Sequence, residues 1–169
     1  MQQFSVDLKQ IKEDLEKLMN NDIPRIVGRE AVNFYKASFD NQGFTKKRKG
    51  KWKGRIYDTK EQKGKPILHG SGELEESIDY RIESGKVIIF SDKEYAEIMN
   101  EGGKIPVTDK MRKFMWAMYY ETDDEFYKKF ALTKKKTITI PKRQFMGFSD
   151  KLNSIIEKQI DNRVDEIFK

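Results

Sequence analysis

The chain has 169 residues, with 34 Lys and Arg against 28 Asp and Glu for a formal charge of +6, and hydrophobic and charged residues each make up 37%. That length lets one ordinary domain bury a core of its own, while the absence of cysteine excludes disulfides, thiolate nucleophiles and thiolate metal sites. No apolar run reaches membrane-spanning length and the N-terminal residues lack the apolar block of a secretory signal, so the expectation is a single domain over residues 1–169, made in a reducing cytoplasm and neither exported nor embedded in a membrane.

Phe4, Leu8, Ile11, Leu15 and Leu18 recur at steps of four and three, the spacing that lines one face of a helix over residues 4–19. The stretch NNDIPRI is expected to break that helix, and Pro24 suits the first turn of a second one because its missing N–H would have no partner there. Val27, Ala31, Phe34, Tyr35 and Phe39 form the second helix's apolar face. The expectation is that this pair packs on the chain's own sheet rather than on a coiled-coil partner.

Residues 41–66 carry four glycines, a proline and no sustained period, and read as one long flexible loop. Lys46, Lys47, Arg48, Lys49, Lys51, Lys53 and Arg55 fall within ten positions that hold no acid, so the positive excess is local. Loops of this length inside a domain are usually functional or disordered, which gives this one a partner or a mobile state.

The segment ILHGSGELEESI, residues 67–78, follows. Its glycines suggest an anion cradle, but Glu73, Glu75 and Glu76 already satisfy the dipole of the helix they open and repel phosphate. Gly70 and Gly72 bend the chain out of the loop, and Leu74 and Ile78 turn the short helix inward. Ile78, Tyr80 and Ile82 then alternate with charged residues as a half-buried strand does, Ser84-Gly85 makes a turn, and KVIIF returns. SDKEYAEIMNEGG is expected to be a helix from a Ser or Asp cap to a glycine pair. Thr108 caps the next helix, whose Met111, Phe114, Met115, Met118 and Tyr119 share one face as core or subunit interface. TITI, residues 137–140, is a short strand stopped by Pro141, and a last helix from about Ser149 turns Leu152, Ile155, Ile156, Ile160, Val164 and Ile167 inward. The whole reads as α+β: a small antiparallel sheet packed by N- and C-terminal amphipathic helices, with a long basic loop.

Chemistry is sparse. His69 is the sole histidine, so no His-rich metal site is available and any catalytic triad would have to use it; an ordinary loop histidine is the expectation. There is no phosphate-binding P-loop and no GxGxxG after a strand, so no cofactor is expected. Paired acids such as Glu73 and Asp124 could serve a cell-wall hydrolase, although an acidic loop or solvated face explains them as well. Phe44, Trp52 and Tyr57 interleave with the basic run, a composition suited to phosphate contact plus base stacking, which makes a nucleic-acid-binding module the alternative. A loop that orders against a protein neighbour has the same composition and is preferred.

Several pieces in this order resemble one family, the phage virion morphogenesis proteins, which are tail-completion proteins of contractile-tailed bacteriophages and prophages. They are Trp52, ILHGSGELEESI, YAEIMNEGG, IPVTDKMRKFMWAMYY and ALTKKKTITIPKRQFMGFS. Leu68, Ser71, Gly72, Leu74, Ser77 and Ile78 match the family's pattern in the first long piece, and Tyr95, Ala96, Gly102 and Gly103 in the next. Pro141, Arg143 and Phe145 match its Pro-x-Arg-x-Phe segment. The chain departs at Met99, where many relatives place a histidine near the glycine, and at Gln144, where a second proline is common.

The resemblance implies a structural, non-enzymatic protein that completes the tail end for head-tail joining, as a ring of identical subunits. Its partners would be other tail or neck proteins, copies of itself, and DNA passing through the neck, with no membrane. It would act in the bacterial host cytoplasm during assembly and then reside in the virion tail or neck. On this reading the hairpin and TITI share one sheet, while the basic loop and segment 104–135 reach neighbouring subunits or the tail tube. Arg143 is an anchor that caps helix carbonyls or pairs with an acid on the next protomer.

Overall fold

Asp7 caps the first helix, α1 (Leu8–Lys17), its carboxylate accepting from the Lys9 and Gln10 amides at 3.0 and 3.2 Å. The computed structural model describes residues 7–55 and 58–168, so Phe4 of the expected stripe and Tyr57 of the basic run lie outside it. The expected break at NNDIPRI is replaced by a widened turn: Leu18–Asp22 is π-helical and runs without interruption into α2 (Ile23–Asp40). The cause is Pro24, which has no N–H and whose ring would press on the carbonyl four residues back. A turn in which the Ile23 amide reaches the Leu18 carbonyl, five residues back, relieves that crowding. Of the first stripe, only Leu18 is buried among the described residues, while Leu8 is 76% and Met19 63% exposed.

The segment read as one loop contains a hairpin. Strands β1 (Gly43–Thr45) and β2 (Lys49–Lys51) pair antiparallel, Gly43 facing Lys51. Gly43 makes the approach possible, since a Cβ there would sit 1.9 Å from the Gly50 carbonyl oxygen. Every residue of β2 is exposed, so it leaves no period in the sequence.

A single helical turn, α3 (Glu73–Glu76), leads into the expected hairpin of β3 (Ile78–Glu83) and β4 (Lys86–Ser91). Its turn residues, Ser84 and Gly85, have φ of 49° and 73°, as such a tight turn requires. Then come α4 (Ala96–Glu101), β5 (Gly103–Pro106), α5 (Asp109–Thr122), α6 (Glu125–Ala131), β6 (Thr137–Ile140) and α7 (Asp150–Ile167). TITI is β6, but it pairs with β5, Ile138 opposite Ile105, and not with the β3–β4 hairpin. The α+β class holds, while the expected single sheet is three separate two-stranded ones. The strand GKIP carries no strand signature in the sequence, because its proline and glycine mimic a loop.

The core lies where α2 crosses β3–β4 and α7. Phe39, Ile78 and Phe145 are its largest fully buried hydrophobic side chains, joined by Ala31, Tyr35, Phe44, Leu74, Ala96 and Leu152. Gly28 lets the Tyr80 ring lie directly on the backbone of α2, where a Cβ would meet a ring carbon at 2.1 Å. Arg163 of α7 holds Asp22 at 3.0 Å and so pins the π-helical turn to the last helix. Outside this core, β5 and β6 form a two-stranded ribbon that leads into α5 and α6, which pack on each other and tie to the loop at Lys60 through Asp124; no residue of α5 is fully buried.

Candidate functional site

Most of the motif residues scattered along the sequence meet at one corner, built around the segment between β6 and α7. Pro141 ends β6, and the following residues have neither helix nor sheet to satisfy their polar groups, so partners from elsewhere must do it. Asn100 of α4 accepts from both the Phe145 and Met146 amides at 2.9 Å. The Arg143 amide donates to the Met99 carbonyl at 3.0 Å, Trp52 Nε1 to the Gln144 carbonyl at 2.7 Å, and the Tyr35 hydroxyl to the Gly147 carbonyl at 2.9 Å. Between these ties Phe145 is driven to 0% exposure, its ring 5.2 Å from that of Phe39, which in turn meets Trp52 edge-on at 5.4 Å.

Gly102 belongs to the same corner. Its φ is 73° and a Cβ on it would stand 2.6 Å from the Lys142 amide nitrogen, so the end of α4 and the motif segment touch backbone to backbone. Gln42, which no sequence signal singled out, clamps the far side: its side chain donates to the Phe39 and Ile67 carbonyls and accepts from the Ile67 amide at 2.6 Å. Leu68 follows in the left-handed region with φ 59°, and Gly72, also left-handed, opens α3. Leu74 and Ala96 are buried in the adjoining core, whereas Tyr95 is 41% exposed at its rim.

Arg143 is only 8% exposed, and its Nε donates to the Lys53 carbonyl at 3.1 Å. It therefore caps a loop carbonyl and not the helix carbonyls that were one of its two expected partners. Burial first, and then the neighbouring charge of Arg55, push its pKa down from the ordinary guanidinium value. Arg55 spends its own donors on the Lys65 and Pro66 carbonyls, at 2.9 and 2.6 Å, and on Asp58 at 3.3 Å. The two guanidinium groups share a cleft of about 290 Å³ with Leu68, Gly72, Leu74, Tyr95 and Met99.

The basic run divides by position. Lys46, Lys47, Arg48, Lys49 and Lys51 are exposed on the β1–β2 hairpin, with Lys47 3.6 Å from Asp150 and Lys49 3.3 Å from the Asn41 side chain. Lys53 is exposed and Arg55 is turned into the cleft. Phe44 is buried and Trp52 is engaged by the core, so neither offers a face to a base. The stacking half of the nucleic-acid expectation is corrected for these two aromatics.

The acids considered for hydrolysis have structural partners. Asp124 caps α6 through the Phe126 amide at 2.9 Å and takes a second bond from the Lys60 amide, and these two bonds lower its pKa below the usual carboxylate value. Glu73 lies 3.3 Å from the Lys93 ammonium. His69 is half exposed and its Nδ1 stands 3.8 Å from Glu75. Among the described residues no cluster of three His, Asp or Glu side chains is placed to hold a metal ion, and no helix is long and apolar enough to cross a membrane.

Comparison with known proteins bears on this corner. The model of the phage virion morphogenesis family matches residues 6–165, and so takes in every motif residue named above. No curated protein and no solved structure matches the chain.

Proposed function

The chain belongs to the phage virion morphogenesis family, and we propose that within it this protein completes the tail end for head-tail joining, as a ring of identical subunits and without catalysis. It would be made in the bacterial host cytoplasm and carried in the virion tail or neck, against other tail or neck proteins. The observation that carries this reading is the helix pair α5–α6. Phe114 is 57%, Tyr120 79% and Leu132 61% exposed, and in α5 even Met111, Met115, Trp116 and Met118 are only half-buried, with no residue fully buried. Apolar side chains in such number on one helix pair mark an interaction surface.

A helix pair at the end of a two-stranded ribbon, outside the core, suits a contact in which one surface of each subunit meets a different surface of the next. Such heterologous contacts close into a ring when the rotation allows it. The structural partners of Glu73 and Asp124 support a role without catalysis. Particles made without the protein should show unjoined heads and abnormal tail ends, and normal infectious virions would sink the proposal.

The exposed cations of the β1–β2 hairpin favour a second role, contact with the phosphates of DNA in the neck. That contact would be electrostatic only, so affinity should fall steeply with salt and vanish when Lys46, Lys47 and Lys49 are changed to glutamate. Binding that persists at high salt would contradict it.

A further inference from the structure

We propose that the cleft between Arg143 and Arg55 is a recognition site for a carboxylate carried on an apolar stretch of another protein of the particle. Arg143 is more than nine-tenths buried, yet among the described residues only its Nε and its backbone amide have hydrogen-bond partners. No fully buried side-chain N or O atom among those residues lacks a partner, so the Nη groups of Arg143 reach solvent, and Arg143 lines the cleft. Neither Nη group bonds a carboxylate among the described residues: Glu73, the one acid of the lining, is paired with Lys93 at 3.3 Å, and Asp58 bonds Arg55 from outside the lining.

Asp58 offsets part of the charge of Arg55, whereas Arg143 has no acid partner among the described residues, so an anion in the cleft would lower the remaining repulsion between the two guanidinium groups. A guanidinium fork matches the two oxygens of a carboxylate, and bonds of this charge-assisted kind are about twice as strong as neutral ones. The remaining wall selects among anions. Leu68, Leu74 and Met99 offer apolar surface beside the charges, with Tyr95 at the mouth, and suit an aliphatic neighbour of the carboxylate. Glu73 repels a dianionic phosphate more than a single carboxylate. The cleft also falls at the small end of the range for ligand sites, so it accepts a side chain or two and not a nucleotide.

The inference deepens the assembly reading and rests on it only for the partner being another protein of the particle. Peptide binding is measured in solution, so its failure leaves ring formation and head-tail joining to be judged on their own. The test is nitrogen-15 NMR of the full chain, following the Nε–Hε signals of Arg55 and Arg143 during titration with a short blocked peptide of alternating leucine and glutamate. Both signals should shift and saturate, and the glutamine version of the peptide should leave them unmoved. Arg55→Gln, which removes the second positive charge of the cleft, should weaken binding by roughly tenfold. Glu73→Gln, which removes no donor from the cleft, should tighten it and keeps the test valid if Arg55→Gln disturbs its loop. Equal binding of the glutamine peptide, an equal response to inorganic phosphate, or no saturable shift would each overturn the proposal.

Discussion

The corner around Phe145 and the helix pair α5–α6 use the same kinds of side chain, aromatics and methionines among lysines, and end in opposite states. At the corner, Phe39, Phe145 and Leu152 are 1%, 0% and 5% exposed, and Asn100, Gln42 and Trp52 satisfy the irregular backbone around them. On α5, Phe114 and Tyr120 face solvent, and the aromatic contacts are made along the helix itself, with Trp116 stacked on Tyr120 at a ring separation of 6.0 Å. Burial of large apolar side chains is what stabilises a fold. On the proposed reading the chain's own stability lies in the first region and its association in the second.

The sharpest way to break that comparison is to open the corner. Phe145→Ala removes a fully buried ring packed against that of Phe39, and should cost about 3–5 kcal/mol in chemical denaturation. A loss near that of a surface substitution would contradict the assignment of the core. Asn100→Ala should cost about 2–4 kcal/mol, because two backbone amides lose their shared acceptor at once. Gly102→Ala combines a positive φ with a contact to the Lys142 backbone and should cost about 2 kcal/mol or more.

Asp124 lies between the two regions, tying α6 to the loop at Lys60, and it gives a pH test. Its folded pKa is lowered, so its contribution is complete above the unfolded carboxylate value of about 3.9 and is lost as pH falls through the lower folded value. The gap in melting temperature between wild type and Asp124→Ala should be constant near neutrality and close in acid. A gap that widened as pH fell would reverse the sign of that link.

How much of this was legible beforehand follows from what each signal needs. The helix face at Ala31, Tyr35 and Phe39, the Ser84-Gly85 turn and the Thr108 cap all rest on local periodicity or on a single residue's chemistry, and all are present. The β1–β2 hairpin was hidden because β2 is Lys-Gly-Lys with every side chain in water, and strand periodicity exists only where one face is buried. The break expected at NNDIPRI does not occur because proline stops a regular α-turn, while a π-turn absorbs it. At the site, Arg143 and Phe145 were marked by their motif, but Asn100 and Gln42 were not. Their importance lies in hydrogen bonds to residues 45 and 25 positions away, and no local pattern encodes such distances. The pairing of Arg55 with Arg143 was equally invisible, since a run of cations reads as solvated surface until the fold turns one of them inward.

Exposed positions on α5 should show the smallest effect on folding and the largest on assembly. Changing Phe114 and Tyr120 together to serine removes no buried contact, so stability should move by about 0.5 kcal/mol or less. The decisive measurement is native mass spectrometry of the wild type and of this double variant, with melting temperatures recorded alongside. Closed rings from the wild type and folded monomers of unchanged stability from the variant are the predicted result. A wild-type chain that stays monomeric at high concentration, or rings that survive the double substitution intact, would contradict the claim that α5–α6 is the surface through which subunits join.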